Sequence, residues 1–235
     1  MSGLVINPYL VQAAAAGIDV ATTASGTFDD LLGAGVATTL PTGVANSNLL
    51  IYVVTCRLAA SVGLDVSINT PSGYTSLNGS TGTFRPASAN GVAGTLIVYK
   101  VAGSSEAAPT FTEQTQACAW AWVAYRITGY TGVPEAVFTA TPGSSLDPAT
   151  LTPSWGSASN LWIAAATVGV VGTVSGYPTG YTDDQVTTSI DGTGSANCGI
   201  GIASKIATAT SDNPAAFTFS ASGNSSAATI AVKSA

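Results

Sequence analysis

The chain has 235 residues, only 8% of them charged, and its six basic against twelve acidic residues leave a formal net charge of −6 with no histidine at all. The missing histidine excludes Ser-His-Asp and Cys-His catalysis, removes the usual general base near neutral pH and takes away the commonest zinc ligand. Lys100, Lys205, Lys233, Arg57, Arg85 and Arg126 are too scattered to form a phosphate-binding face or a polybasic membrane patch, so neither nucleic acid nor membrane is an expected partner.

The charged fraction lies far below the roughly 25% of an ordinary soluble domain, while Gly, Ala, Ser and Thr are abundant. A surface this poor in charge suits a protein covered by neighbours or displayed outside a cell. A plain soluble secreted domain is the bland alternative. Met1-Ser2-Gly3-Leu4 opens without a charged leader region or a long apolar core, so no secretory signal is expected. The apolar runs, such as residues 161–171, fall short of the ~20 residues of a membrane helix.

In chain order, residues 1–16, MSGLVINPYLVQAAAA, form an apolar N-terminal arm in which Pro8 limits any helix before it. Such an arm either folds back on its own domain or docks on a neighbour, and Leu4, Val5, Ile6, Pro8, Tyr9 and Leu10 are its candidate partner-binding residues. Residues 17–43 alternate small and apolar residues with Thr, broken by glycines and Pro41, and read as short strands and turns. Residues 48–57, NLLIYVVTCR, are apolar nearly throughout, which marks a central strand covered on both faces or facing a partner. Residues 64–69 alternate as a half-buried strand should, and Pro71-Ser72-Gly73-Tyr74 then makes a turn whose tyrosine closes one end of the fold.

Residues 78–94 are a polar, glycine-rich loop, and strands come next at 95–101, 110–112 and 117–127. In the last of these Trp120 and Trp122 share one face and alanines the other, which lets a second sheet approach closely. Two such rings can also be a sugar platform, but buried aromatic core is the more ordinary use. Residues 128–158 join two halves, with Pro134, Pro142, Pro148 and Pro153 at turns and a strand at 135–141.

The second half uses the same pattern again. NLLIYVVTCR returns as NLWIAAATVG at 160–169; PSGYT at 71–75 returns as PTGYT at 178–182; Tyr99-Lys100-Val101-Ala102 returns as Ser204-Lys205-Ile206-Ala207. Residues 105–112 align without a gap to 211–218, and Val123-Ala124-Tyr125-Arg126 aligns to Ile230-Ala231-Val232-Lys233. Landmarks repeated in one order mark an internal duplication, too long in period for a solenoid. No helix beyond the arm has a 3.6-residue period, so the expected fold is all-β: an antiparallel, jelly-roll-like β-sandwich over 17–235, in two repeats of about 17–132 and 133–235. One sandwich with a pseudo-twofold axis is favoured over two tandem small sandwiches, because the apolar strands need cover on both sides.

Chemistry is sparse. Cys56, Cys118 and Cys198 have no metal-ligand spacing and read as buried free thiols, with a Cys56–Cys118 bridge open as an alternative. Asp183-Asp184 with Asp191 could hold a calcium ion through carboxylates and loop carbonyls, though without the spacing of an EF-hand loop, and Glu106 and Asp212 occupy equivalent places in the two repeats, which favours a turn role over catalysis. No phosphate-cradling glycine motif precedes a helix, so no cofactor, metal or catalytic residue is assigned.

The succession of a strand of type NLLIYVV, PSGYT, a strand of type LIVYKVA, an acid before Phe-Thr, and WVAYRITGY resembles tailed-bacteriophage virion proteins with β-sandwich folds, over residues 36–235. Tyr74 and Tyr181 stand where tryptophan is common in that class, and the second copy is degenerate. The resemblance implies a non-enzymatic virion structural protein assembled in a host cytoplasm. The expected role is a capsid decoration (cement) protein stabilising the shell through contacts with the major capsid protein or other virion proteins, as a homo-oligomer with trimers common in the class. The alternatives are a tail or head fibre component, or a lectin-like module binding carbohydrate through Tyr74, Tyr177 and Tyr181.

Overall fold

The structure is a computed structural model and describes residues 17–30, 34–59, 65–79, 83–84, 93–113, 117–140, 142–193 and 196–235. The arm at 1–16, with Leu4, Val5, Ile6, Pro8, Tyr9 and Leu10, and most of the 78–94 loop lie outside the described residues. Within them the fold is all-β, made of antiparallel sheets packed face to face, as the strand and turn spacing leads one to expect.

Its first half holds β1 (Asp19–Asp30), β2 (Val36–Ala37), β3 (Leu49–Leu58), β4 (Thr75–Ser76), β5 (Ala93–Val101), β6 (Thr110–Phe111) and β7 (Cys118–Thr128). The second holds β8 (Tyr130–Ala140), β9 (Gly143–Leu146), β10 (Ala158–Val168), β11 (Val174–Gly176), β12 (Asp183–Asp191), β13 (Asn197–Ala209), β14 (Phe217–Gly223) and β15 (Ser225–Ser234). A five-stranded sheet in each half has the same order: β1-β7-β3-β5-β4 in one, β8-β15-β10-β13-β12 in the other. Each is backed by a smaller sheet, β2-β6 in the first half and β11-β14-β9 in the second. The duplication read in the residues is therefore a duplication of topology.

The apolar strands are explained by what covers them. Alternate residues of a strand point to opposite faces. On β3, Leu49, Ile51 and Val53 meet Leu161, Ile163, Ile200, Ile202 and Ile230 of the other half in a core shared by the two large sheets. Leu50, Tyr52, Val54 and Cys56 point the other way, into a core of the first half with Phe111, Trp120 and Trp122. β10 repeats this: its residues 161, 163 and 165 enter the shared core, while Trp162, Ala164, Ala166 and Val168 pack against Phe217, Phe219 and Tyr181. The layers thus stack four deep, small sheet, large sheet, large sheet, small sheet.

Ala119 and Ala121 of β7 face the shared core, opposite in sense to Trp120 and Trp122, so small side chains do line the close approach of the sheets. Polar seams tie the halves together. Thr95, Thr167 and Ser226 form a buried triangle of hydroxyls 2.6, 2.8 and 2.7 Å apart. Tyr125 Oη donates to the Asp184 carbonyl at 2.9 Å, Arg57 Nη1 donates to the Gly169 carbonyl, and Thr193 donates through its N and Oγ1 to Asp29 Oδ2.

Three local expectations need correction. Residues 65–67 are not strand: only Ile68 forms an isolated bridge, to Glu113, although Val66 and Ile68 are buried and Asp65 exposed as the alternation requires. Thr83 supplies the missing ladder partner, its Oγ1 accepting from Ile68 N at 2.6 Å. The described residues of 17–43 hold one long strand of 12 residues, β1, which runs the whole length of β7, and only one short one, β2, rather than short strands throughout. The 128–158 segment is not mainly a join: β8 starts at Tyr130, after Gly129 at φ 65°, and pairs with β15 from Tyr130 to Ala140.

Candidate functional site

One cluster of polar and aromatic side chains occurs twice, built by the repeated PxGY turn and the strand after it. Tyr74 N donates to Pro71 O at 3.1 Å and Tyr181 N to Pro178 O at 3.0 Å. Gly73 and Gly180 sit at φ 79° and 83°, the left-handed position that glycine fills without strain in a type II turn. Each turn delivers a tyrosine ring under a lysine of the neighbouring strand: Lys100 Nζ is 5.4 Å from the Tyr74 ring centroid, and Lys205 Nζ is 4.5 Å from that of Tyr181.

Both lysines are also paired. Lys100 Nζ lies 2.6 Å from Glu106 Oε1, and Lys205 Nζ lies 2.6 Å from Asp212 Oδ1. Burial pushes the Glu106 carboxyl up, but the Lys100 bond, the Gly103 and Ala107 backbone bonds and the Lys100 charge outweigh it and hold the group below its ordinary pKa. The turn role expected of Glu106 and Asp212 is thus an ion pair as well.

The second carboxylate oxygen distinguishes the copies. Asp212 Oδ2 accepts from Tyr181 Oη, whereas Glu106 Oε2 accepts from Gly103 N at 3.1 Å and leaves the Tyr74 hydroxyl buried with no hydrogen-bond partner. Burial, then the bond to Asp212 and its charge, push the Tyr181 phenol far above its usual range. In the first copy the cluster floors an open groove of about 370 Å³ with Pro71, Ser72, Ser105, Pro109 and Thr110 along it.

For the sugar-platform reading the placement is unfavourable. Tyr181 is 1% exposed and belongs to the core with Phe217 and Trp162. Tyr177 is half-buried, with its ring edge-on to Phe217 at 6.0 Å, and Tyr74 is half-buried, edge-on to Tyr52 at 5.8 Å. No two of the three present stacked faces to solvent. Trp120 and Trp122, 0% and 4% exposed, are core residues.

A second cleft, of about 430 Å³, opens at one end of the seam between the large sheets, floored by Val20, Leu161 and Ile206 and edged by Asp19, Asp183 and Asp184. Burial, then the charges of Asp183 and Asp19, raise the Asp184 carboxyl above its ordinary value against a bond from Ser204 Oγ. Sequence reasoning missed this cleft because it joins β1 to β12, which are far apart in the chain; the Asp183-Asp184 pair was its one visible sign. Among the described residues no group of three or more acids, cysteines or histidines is arranged to hold a metal ion, so Asp183, Asp184 and Asp191 do not converge.

Cys56, Cys118 and Cys198 are free and buried. The Cys56–Cys118 bridge is not formed, and burial pushes the Cys56 and Cys198 thiols well above their usual range. Comparison of the chain with protein-family models, curated proteins and solved structures finds no match.

Proposed function

We propose that this chain is a non-enzymatic structural protein of a tailed-phage virion, a capsid decoration (cement) protein that stabilises the shell by adhesion between subunits. The observation that carries the reading is the matched use of ionisable groups in the two repeats. Lys100–Glu106 and Lys205–Asp212 occupy the same place on the same turn-and-strand unit. A device present in both copies serves the fold, and a site for one reaction or one ligand has no need of two.

The layout supports adhesion in a second way. Four packed layers give a stiff block with little charge on its surface, suited to contact with neighbours over broad areas. Apolar burial contributes roughly 25 cal/mol per Å² before association costs, so a modest interface repeated over a shell adds up. In this reading the apolar sequence at 4–10 supplies contact to neighbouring virion proteins.

Purified protein added to empty capsids tests it. Binding at a fixed number of copies per capsid, lost when residues 1–16 are deleted, is the expected result. Protein indifferent to capsids, together with its absence from purified particles by mass spectrometry, would sink the reading.

A further inference from the structure

The seam between the two large sheets has two places that the duplication makes equivalent, and they are finished differently. Val20 of β1 and Tyr130 of β8 match, since they pair with Ile127 and Ser234, the residues that follow the matched Arg126 and Lys233. The matched turns set Leu77 against Asp184, and the matched strands set Tyr99 against Ser204. In the first-half sheet and β8, the side chains of Leu77, Tyr99 and Tyr130 all pack on the shared core. Their counterparts Asp184, Ser204 and Val20 line the cleft of about 430 Å³ instead. Two tyrosines and a leucine have become a valine, a serine and an acid, so the seam is plugged at one place and open at the other.

The chain outside the described residues meets the fold at this cleft. Gly17 is the first described residue, and Asp19 and Val20 already line the cleft. Residues 1–16 carry apolar side chains at 4–6 and 9–11 and no Asp, Glu, Lys or Arg. Nothing in them is repelled by Asp19, Asp183 and Asp184, and their backbone N–H groups are donors for those carboxylates. The seven residues from Leu10 to Gly17 span up to about 25 Å, enough to double back into a cleft whose rim begins at Asp19. So short a tether holds the segment at an effective concentration of about millimolar, above that of a second copy in dilute solution.

We propose that residues 4–10 of the same chain dock in this cleft, over Val20, Leu161 and Ile206, and supply the apolar bulk that Leu77, Tyr99 and Tyr130 supply at the equivalent place. The driving force is the apolar surface removed from water on both sides, Ile206 being 49% exposed without the segment. The docking belongs to the free chain and does not rest on the virion reading. On a capsid, neighbouring proteins compete with the cleft for the same residues.

Thiol labelling of the full chain with a maleimide tests it. Cys56, Cys118 and Cys198 are buried, which keeps the background low. Ile206→Cys puts a reporter in the cleft, and Val101→Cys puts one at the matched position of the first half; both side chains are about half exposed, so neither change disturbs the core. Labelling of Ile206→Cys is expected to be several-fold slower with the native segment than with Ile6→Ser, Tyr9→Ser and Leu10→Ser combined, at every protein concentration. Val101→Cys is expected to label alike in both backgrounds. Equal rates for Ile206→Cys in the two backgrounds overturn the inference, and so does equal protection of Val101→Cys, which means a segment that covers no particular place. Protection that grows with protein concentration also overturns it and assigns the cleft to the segment of a second copy. No capsid enters the measurement, so its failure leaves the virion reading untouched.

Discussion

Tyr74 and Tyr181 are the same residue of the same turn in two copies, yet their hydroxyls have opposite fortunes. Removing the Tyr181 hydroxyl takes a donor from Asp212, whose other oxygen is held by Lys205. Tyr181→Phe is therefore expected to cost about 1 kcal/mol, a fall in melting temperature of about 2–4 °C for a chain of this size. The Tyr74 hydroxyl is buried without a partner, so Tyr74→Phe relieves a desolvated group and is expected to be neutral or stabilising. Thermal melts of the two variants side by side check the pair, and an equal loss from both refutes the account.

Two carboxylates set opposing pH trends on the same scale. Glu106 has a lowered folded pKa, so its contribution is present above the unfolded pKa and is lost as pH falls through the folded value. Asp184 has a raised folded pKa, so the folded state binds its proton more tightly and stability falls as pH rises through that range. Asp184→Asn is expected to raise the denaturant midpoint at neutral pH relative to that near pH ~4, and Glu106→Gln to lower it more at neutral pH than near pH ~4. Midpoints of both variants at the two pH values decide it.

Among the elements, β13 shows why the second copy looks weaker in sequence while folding alike. Its Gly199 and Gly201 lie under the small sheet: a Cβ at 199 would come 2.6 Å from the Gly172 carbonyl oxygen, and one at 201 would come 2.2 Å from Val174 Cγ2. Gly94 of β5 stands at the equivalent place, where a Cβ would meet Val66 Cγ1 at 2.4 Å. Small residues here admit the third layer and are not a sign of thin packing. Gly199→Ala must displace backbone, so a loss of about 1–3 kcal/mol is expected in chemical denaturation.

The legibility of the chain has the same geometric origin. Signature strands, repeated turns and the alternation of Trp120 and Trp122 with alanines were readable because each is a local pattern with one physical cause. The length of β1 was not, since Thr, Ala, Ser and Gly have weak preferences and the strand is extended by β7 across the sheet. Nor was the non-strand path of 65–69, whose period-two burial is right but whose partner is the Thr83 side chain. The acid-edged cleft and the hydroxyl triangle of Thr95, Thr167 and Ser226 join distant residues, and no local pattern announces such meetings.

For the whole molecule, the decisive feature is that neither large sheet has a second face of its own to bury. Leu49, Ile51 and Val53 are covered by the second half, and Ile163, Ile200 and Ile230 by the first. Stability lost in one repeat must then appear in the other, because the shared core melts as one unit. The tryptophans report this separately, with Trp120 and Trp122 in the first half and Trp155 and Trp162 in the second. Ile163→Ala empties a fully buried site in the shared core, at an expected cost of about 2–5 kcal/mol. In a background with Trp155→Phe and Trp162→Phe, tryptophan emission comes only from the first half, and the Ile163→Ala midpoint seen in it should shift as far as the midpoint by circular dichroism. If the two halves fold independently, the first-half tryptophans keep their midpoint while the dichroism curve splits into two transitions.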